Sequence, residues 1–248
     1  MKIAIITALP EETGALLKRL GSSEKVVCGN LKAYISVCSG HEIFLCEAGM
    51  GFDNAARAAE SVIREARPDM LISSGFCGGI TTDLMVGDVV VAKSVLIVSG
   101  ALIEAVSVEI PDSCSNFVVR QAAGGMRVFG GVFASTPSLI SKVQIADLLP
   151  QGSRYQVVEM ESGAIAIVAV ENGISFVGIR AVSDPFNEEI GFSLDEFCDD
   201  HLRIRIPRVL LTIARKPRII PQLFRLARNS RIAGANLALA VERFLASI

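Results

Sequence analysis

Four short clusters of carboxylates, glycines and hydroxyls attract attention because each follows a run of strand-forming residues. Glu11-Glu12 come after Lys2–Ala8 and Pro10, and Gly49-Met50-Gly51 after Ile43–Glu47. Glu159-Met160-Glu161 follow Gln156–Val158, and Ser183-Asp184 follow Arg180-Ala181-Val182. A carboxyl group withdrawn from water holds its proton to higher pH, so such residues can act as general acids or bases near neutrality. Glycines let backbone N–H groups come close to an anion or a ribose hydroxyl at a helix start. Each cluster alone has a plainer use: an acidic first helical turn favoured by the macrodipole, a tight turn, a solvated rim, a helix cap.

The elements that would position these clusters alternate in type. Lys2–Ala8 reads as a strand, with Glu12–Leu20 a helix bearing Leu16, Leu17 and Leu20 on one face and closed by Gly21. Strands are expected at Ala33–Cys38, Ile43–Glu47, Met70–Ser74, Val89–Ala92 after a Gly87-Asp88 turn, Val128–Ala134, Gln156–Val158 and Ser175–Val182. Helical spacing covers Asp53–Arg67, stopped by Pro68, and Ser162–Asn172, closed by Gly173. This alternation predicts an α/β fold, a single domain with a twisted, mixed and largely parallel central sheet flanked by helices. Open α/β sheets bind ligands beyond the carboxyl ends of their strands, where the clusters fall.

Composition sets the outer bounds. The chain has 248 residues, 51% of them hydrophobic, enough to bury a sizeable core, which excludes disorder and collagen-like repeats. Its six cysteines include no C-x-x-C pair and only His41 and His201 could join them, so neither a zinc site nor a disulfide scaffold is expected. No metal and no cofactor are anticipated. No run of the sequence approaches the roughly 18–20 apolar residues of a spanning helix, and the expectation is a cytoplasmic protein. The small net charge hides a division: residues 1–200 hold 14 basic and 25 acidic side chains, while residues 201–248 hold 10 basic ones and only Glu242.

In order and spacing the clusters are similar to those of the nucleoside phosphorylase and nucleosidase superfamily, near its methylthioadenosine/S-adenosylhomocysteine nucleosidases. The carriers are Ile3–Glu12, Gly49-Met50-Gly51, Gly75-Phe76-Cys77-Gly78-Gly79, Val86–Val90, Val158–Glu161 and Arg180–Asp184. The resemblance spans about residues 1–200, taken as the catalytic domain, with 201–248 a basic aliphatic helical extension completing it. It implies N-glycosidic cleavage of a purine nucleoside, in a homo-oligomer, dimer or hexamer. Asp184 then protonates or hydrogen-bonds N7 of the base, Ser183 orients it, and Glu161 accepts the ribose hydroxyls above Met160. Glu12 activates water, and Arg180 pairs with an acid such as Glu159. Gly49, Met50, Gly51 and Phe76 line the nucleophile and sugar pocket, while Leu139 and Ile140 meet the base.

The nucleophile separates hydrolysis from phosphorolysis. Phosphate needs cationic donors, and no arginine lies near Leu9–Gly14 or within Leu71–Gly79, so water is favoured. An arginine from a neighbouring subunit would restore phosphorolysis, with phosphate as co-substrate. Two residues depart from the methylthioadenosine nucleosidases: Phe76 stands where they carry a small hydroxyl residue, and Leu139 where they carry a stacking aromatic. The alternatives kept open are a methylthioadenosine/S-adenosylhomocysteine nucleosidase, a purine nucleoside phosphorylase and a nucleoside-binding protein without catalysis.

The tail adds two readings. Residues 200–221 look like an insertion ahead of a closing helix at Gln222–Ile248. Their basic and aliphatic residues suit either packing on the acidic body or a neighbouring subunit, or peripheral contact with an anionic membrane at its inner face. Nucleic acid fits poorly, since the tail's aromatics are Phe224 and Phe244. Together with Gly75-Phe76-Cys77-Gly78, the tail resembles the hopanoid-associated phosphorylase/nucleosidase branch, whose inferred substrate, adenosylhopane, is adenosine with a large apolar 5′ group.

Overall fold

The computed structural model describes residues 1–123, 126–138, 140–150, 152–188, 212 and 215–248. Among the described residues, ten strands form one mixed sheet. They are β1 (Lys2–Thr7), β2 (Ser23–Cys28), β3 (Leu31–Cys38), β4 (His41–Glu47), β5 (Met70–Gly79), β6 (Val89–Ser99), β7 (Leu102–Ala105), β8 (Val128–Ser135), β9 (Gln156–Glu159) and β10 (Ser175–Asp184). The helices are α1 (Pro10–Leu17), α2 (Phe52–Ala66), α3 (Asp112–Ala123), α4 (Lys142–Leu148), α5 (Ser162–Glu171) and α6 (Ile220–Leu245).

β5 organises the sheet. It pairs in parallel with β1 and β10, and its last residues pair with β9 antiparallel. From β10 the ladder passes through β6 and β8 to β9, so those five strands close a circuit, while β1, β4, β3 and β2 extend the sheet outward.

The alternation of β1 builds two cores on opposite faces of the sheet. Ile3 and Ile5 pack with Leu16 of α1 and Leu237, Val241 and Phe244 of α6, whereas Ala4 and Ile6 pack with Ala55, Ala59 and Val62 of α2 and Ile165 and Ala169 of α5. This is the period of two that a strand covered on both faces must show.

Several boundaries differ from expectation for local reasons. Pro10 starts α1 as its first residue, where its missing N–H is no loss, and the helix ends at Leu17, short of Gly21. The strand expected at Met70–Ser74 continues through the glycine run to Gly79, because β10 and β9 pair with it to the end. β2, β7, α3 and α4 were not anticipated: they are short, or exposed in sequence segments without a clear apolar period. The closing helix begins at Ile220, slightly before the expected Gln222. Most of the anticipated insertion at residues 200–221 lies outside the described residues. Among the described residues, no helix is long and apolar enough to cross a membrane.

Candidate active site

The carboxyl ends of β1, β5 and β10 meet where α1 begins. Glu12, third residue of α1, turns its carboxylate back over the helix start: Oε2 accepts the Ala8 and Leu9 N–H groups, both at 2.9 Å, and Oε1 accepts the Phe76 N–H at 2.8 Å. The acidic first turn therefore satisfies a helix-capping donor and also ties α1 to β5. Burial pushes the Glu12 pKa up to about 7, with Glu161 adding to the rise, against the lowering pull of Arg180 and the backbone donors.

Arg180 lies beneath this carboxylate. Paired in register with Gly75, it sends a wholly buried guanidinium to Glu159 Oε2 at 2.5 Å, Ser73 Oγ at 3.0 Å and Ser162 Oγ at 3.1 Å. The expected Arg180–Glu159 pair is thus present. Glu159 Oε2 also accepts the Glu161 and Ser162 N–H groups at the start of α5. Gly75 is required here: a Cβ would stand 2.8 Å from Glu12 Oε1 and would collide with the Arg180 guanidinium. Glu161 Oε2 is 3.4 Å from Arg180, and its Oε1 accepts the Gly51 N–H at 2.9 Å. Burial raises the Glu161 pKa, opposed by Arg180. Gly51, with φ of +97°, adopts a backbone shape closed to most side chains, which lets its N–H meet Glu161 directly ahead of α2.

Further along β5 the surroundings change. Asp184 is opposite Gly78, across an irregularity in β10 that makes Ser183 the extra residue. Ser183 Oγ donates to Asp184 Oδ1 at 2.7 Å, while Lys142, first residue of α4, places Nζ 2.5 Å from Oδ2. Nζ also donates to the Asp184 and Pro185 carbonyl oxygens, each at 2.9 Å. Burial raises the Asp184 pKa, and Lys142 and Ser183 pull it down.

Glu12, Glu161, Gly51 and the Phe76 backbone thus form one network around Arg180, and Asp184 with Ser183 forms a second beside Gly78. Met160 and Met50 are half-buried next to their partners in these networks, and Gly49, at φ of +86°, makes the turn before Met50. The Phe76 ring reaches the helix layer: a Cβ on Gly234 of α6 would stand 3.6 Å from its Cζ. Ile140 packs with Val98, Ala134 and Ile145, and Leu139 lies outside the described residues. Two contributors went unforeseen. Ser73 sits in an unbroken apolar-looking strand, whereas Lys142 had a usable signal as the only lysine between Lys93 and Lys216.

The model of the phosphorylase superfamily matches residues 2–215. A 5′-methylthioadenosine/S-adenosylhomocysteine nucleosidase of Desulfotalea psychrophila is 33% identical over 202 residues, covering 76% of this chain and 86% of that protein. One of the same name from Geobacillus thermodenitrificans is 32% identical over 222 residues, covering 80% and 90%. The crystal structure of the Neisseria meningitidis nucleosidase of that name, in complex with methylthio-immucillin-A, superposes with a TM-score of 0.74 at 24% identity, covering 100% of this chain and 99% of its own. The futalosine hydrolase of Helicobacter pylori gives a TM-score of 0.76 at 18% identity, covering 100% and 98%. With its motifs gathered at one end of the sheet and the family model matched over most of its length, the chain belongs to the phosphorylase superfamily.

Proposed function

We propose that the protein is a hydrolase that cleaves the N-glycosidic bond of a 5′-substituted adenine nucleoside, releasing adenine. The observation that carries this is Glu12, a buried carboxylate with a pKa raised to about 7, fixed by backbone N–H groups at the sheet end. Such a group takes a proton from water near neutral pH, and its position is set by main chain rather than by mobile side chains. In this reading Asp184 delivers a proton to N7 of the base, so that the departing purine leaves uncharged. Glu161, beside the Gly51 N–H, receives the ribose hydroxyls, and Met160 supplies an apolar surface under the sugar.

Water is favoured over phosphate by the commitment of the nearby cations among the described residues. Arg180 is taken up by Glu159, Ser73 and Ser162, and Lys142 by Asp184. A phosphate would need fork-like donors that these contacts occupy.

For the 5′ group, the proposal is a large apolar substituent, as in adenosylhopane. The C-terminal helix α6 presents Ile220, Phe224 and Ile232 outward beside Arg225, Arg228 and Arg231, a face suited to an anionic lipid surface. The second reading is a methylthioadenosine/S-adenosylhomocysteine nucleosidase, favoured by the names of the relatives. Incubation with adenosine, methylthioadenosine, S-adenosylhomocysteine and a long-chain 5′-alkyl adenosine, with and without phosphate, tests both. The proposal expects adenine release without phosphate and a higher kcat/KM for the alkyl nucleoside. Cleavage only with phosphate would overturn the role of Glu12, and preference for methylthioadenosine would select the second reading.

A further inference from the structure

We propose that Lys142 holds the proton that Asp184 passes to the leaving base, so that the acid of this site is a lysine–aspartate pair rather than a lone carboxyl group. This rests on the assignment of Asp184 as the acid in the function proposed above.

Counting hydrogens carries the argument. An ammonium group has three N–H donors and no acceptor, and Lys142 Nζ has three acceptors around it: Asp184 Oδ2 at 2.5 Å, and the Asp184 and Pro185 carbonyls at 2.9 Å each. The other carboxylate oxygen, Oδ1, receives the Ser183 hydroxyl at 2.7 Å. Both oxygens of Asp184 therefore face donors. A carboxyl group in that setting is an acceptor, and the shared proton sits on nitrogen before substrate arrives. Asp184 has no proton of its own to give until Lys142 supplies one.

The same geometry allows the transfer. When the proton moves from Nζ to Oδ2, the lysine keeps two N–H bonds, matching the two carbonyls, and gains a lone pair that faces the new O–H. No hydrogen bond to the carbonyls is lost. The move also cancels two opposite charges whose side chains are each less than one-fifth exposed, which a water-poor site favours. As the C1′–N9 bond breaks, its electron pair goes to the purine and N7 takes the proton from Asp184. Glu12 removes a proton from the water whose oxygen bonds to C1′. That proton returns through solvent to the neutral Lys142 amine, so the cycle closes on nucleoside plus water giving adenine plus the free sugar.

Gly78 makes the approach possible. A Cβ there would lie 2.9 Å from Lys142 Cε and 3.0 Å from Asp184 Oδ2, inside ordinary contact distance for both. The absence of a side chain at Gly78 leaves the channel through which the lysine stem reaches the carboxylate.

Lys142 acts through Asp184 and is a positioning residue with a proton to lend. The test measures kcat and KM for adenine release by Lys142→Met, Lys142→Arg, Asp184→Asn and the Lys142→Met/Asp184→Asn double variant. Arginine keeps the charge and the donors but does not give up its proton. Expected are falls in kcat of about 10²-fold for Lys142→Met and Lys142→Arg, with KM within about threefold, and no further loss beyond about twofold when Lys142→Met is added to Asp184→Asn. Near wild-type kcat in Lys142→Arg would overturn the proposal, since charge alone would then suffice. An effect confined to KM, or an additive loss in the double variant, would overturn it equally. If Asp184→Asn itself retains kcat within about tenfold, the acid assignment underneath fails instead.

Discussion

Two carboxyl groups beside the same strand end, that of β5, are held in opposite ways. Glu12 is fixed by main-chain N–H groups from two elements, with Arg180 already engaged elsewhere below it. Asp184 is held by side chains, Ser183 on one oxygen and Lys142 on the other. The first arrangement fixes position and leaves protonation to burial, whereas the second fixes where the proton is stored. A site that must take a proton from water on one side and give one to a base on the other needs this division, because a single environment tunes both groups the same way.

The largest effect expected from breaking the comparison is at Glu12. Replacing it with Gln removes the base and places an amide N–H₂ among backbone donors that need an acceptor. We expect kcat to fall about 10³-fold in an adenine-release assay, within the range general bases supply. A loss of less than about tenfold would make Glu12 a helix-to-sheet tie alone.

Arg180 underlies the Glu12 network and is the next test. Arg180→Met leaves Glu159 and Glu161 buried without their cation, a change that typically costs about 3–5 kcal/mol. Denaturant unfolding should register that loss. An unchanged midpoint would mean that the buried pair does not set the network's geometry.

How far these networks can be read from sequence differs between them. Glu12, Glu161 and Gly51 each stand at a junction between a clear strand and a clear helix, so pattern and position coincide, and the Arg180–Glu159 pair follows from two opposite charges inside apolar runs. Lys142 and Ser73 do not stand out this way. Lys142 belongs to a short helix with little apolar period, and its partner is 42 residues away, a pairing that only the closed circuit of strands creates. Gly75 and Gly78 were legible as glycines, but their use, making room for side chains from β10 and α4, depends on strand register that spacing does not give. The continuation of β5 past the expected Ser74 to Gly79 escaped the sequence for the same reason.

A smaller effect concerns pH. Glu12 is raised, so it is protonated and idle as a base below about pH 7 and ionised above it. kcat/KM should therefore climb about tenfold per unit from acid toward pH 7 and then level. Glu161 raises Glu12 and Arg180 lowers it, so Glu161→Gln, whatever it costs in ribose binding, should move this acid limb to lower pH. A limb that stays in place would mean that Glu161 adds nothing to the rise that burial gives Glu12.

The smallest effect should come from Ser183→Ala, and it separates the two carboxyl groups most cleanly. The hydroxyl donates to Asp184 Oδ1 and to no part of the Glu12 network among the described contacts. Losing one such bond costs about 0.5–1.5 kcal/mol, equivalent to roughly a two- to thirteenfold fall in kcat. Lys142 remains on Oδ2 to hold the carboxylate, so the loss should not approach that of Glu12→Gln. The acid limb of the pH profile should keep its midpoint, because Ser183 touches the group that gives the proton and not the one that takes it. A shift of that limb in Ser183→Ala would tie the two networks together and end the distinction between a carboxylate held by backbone and one held by side chains.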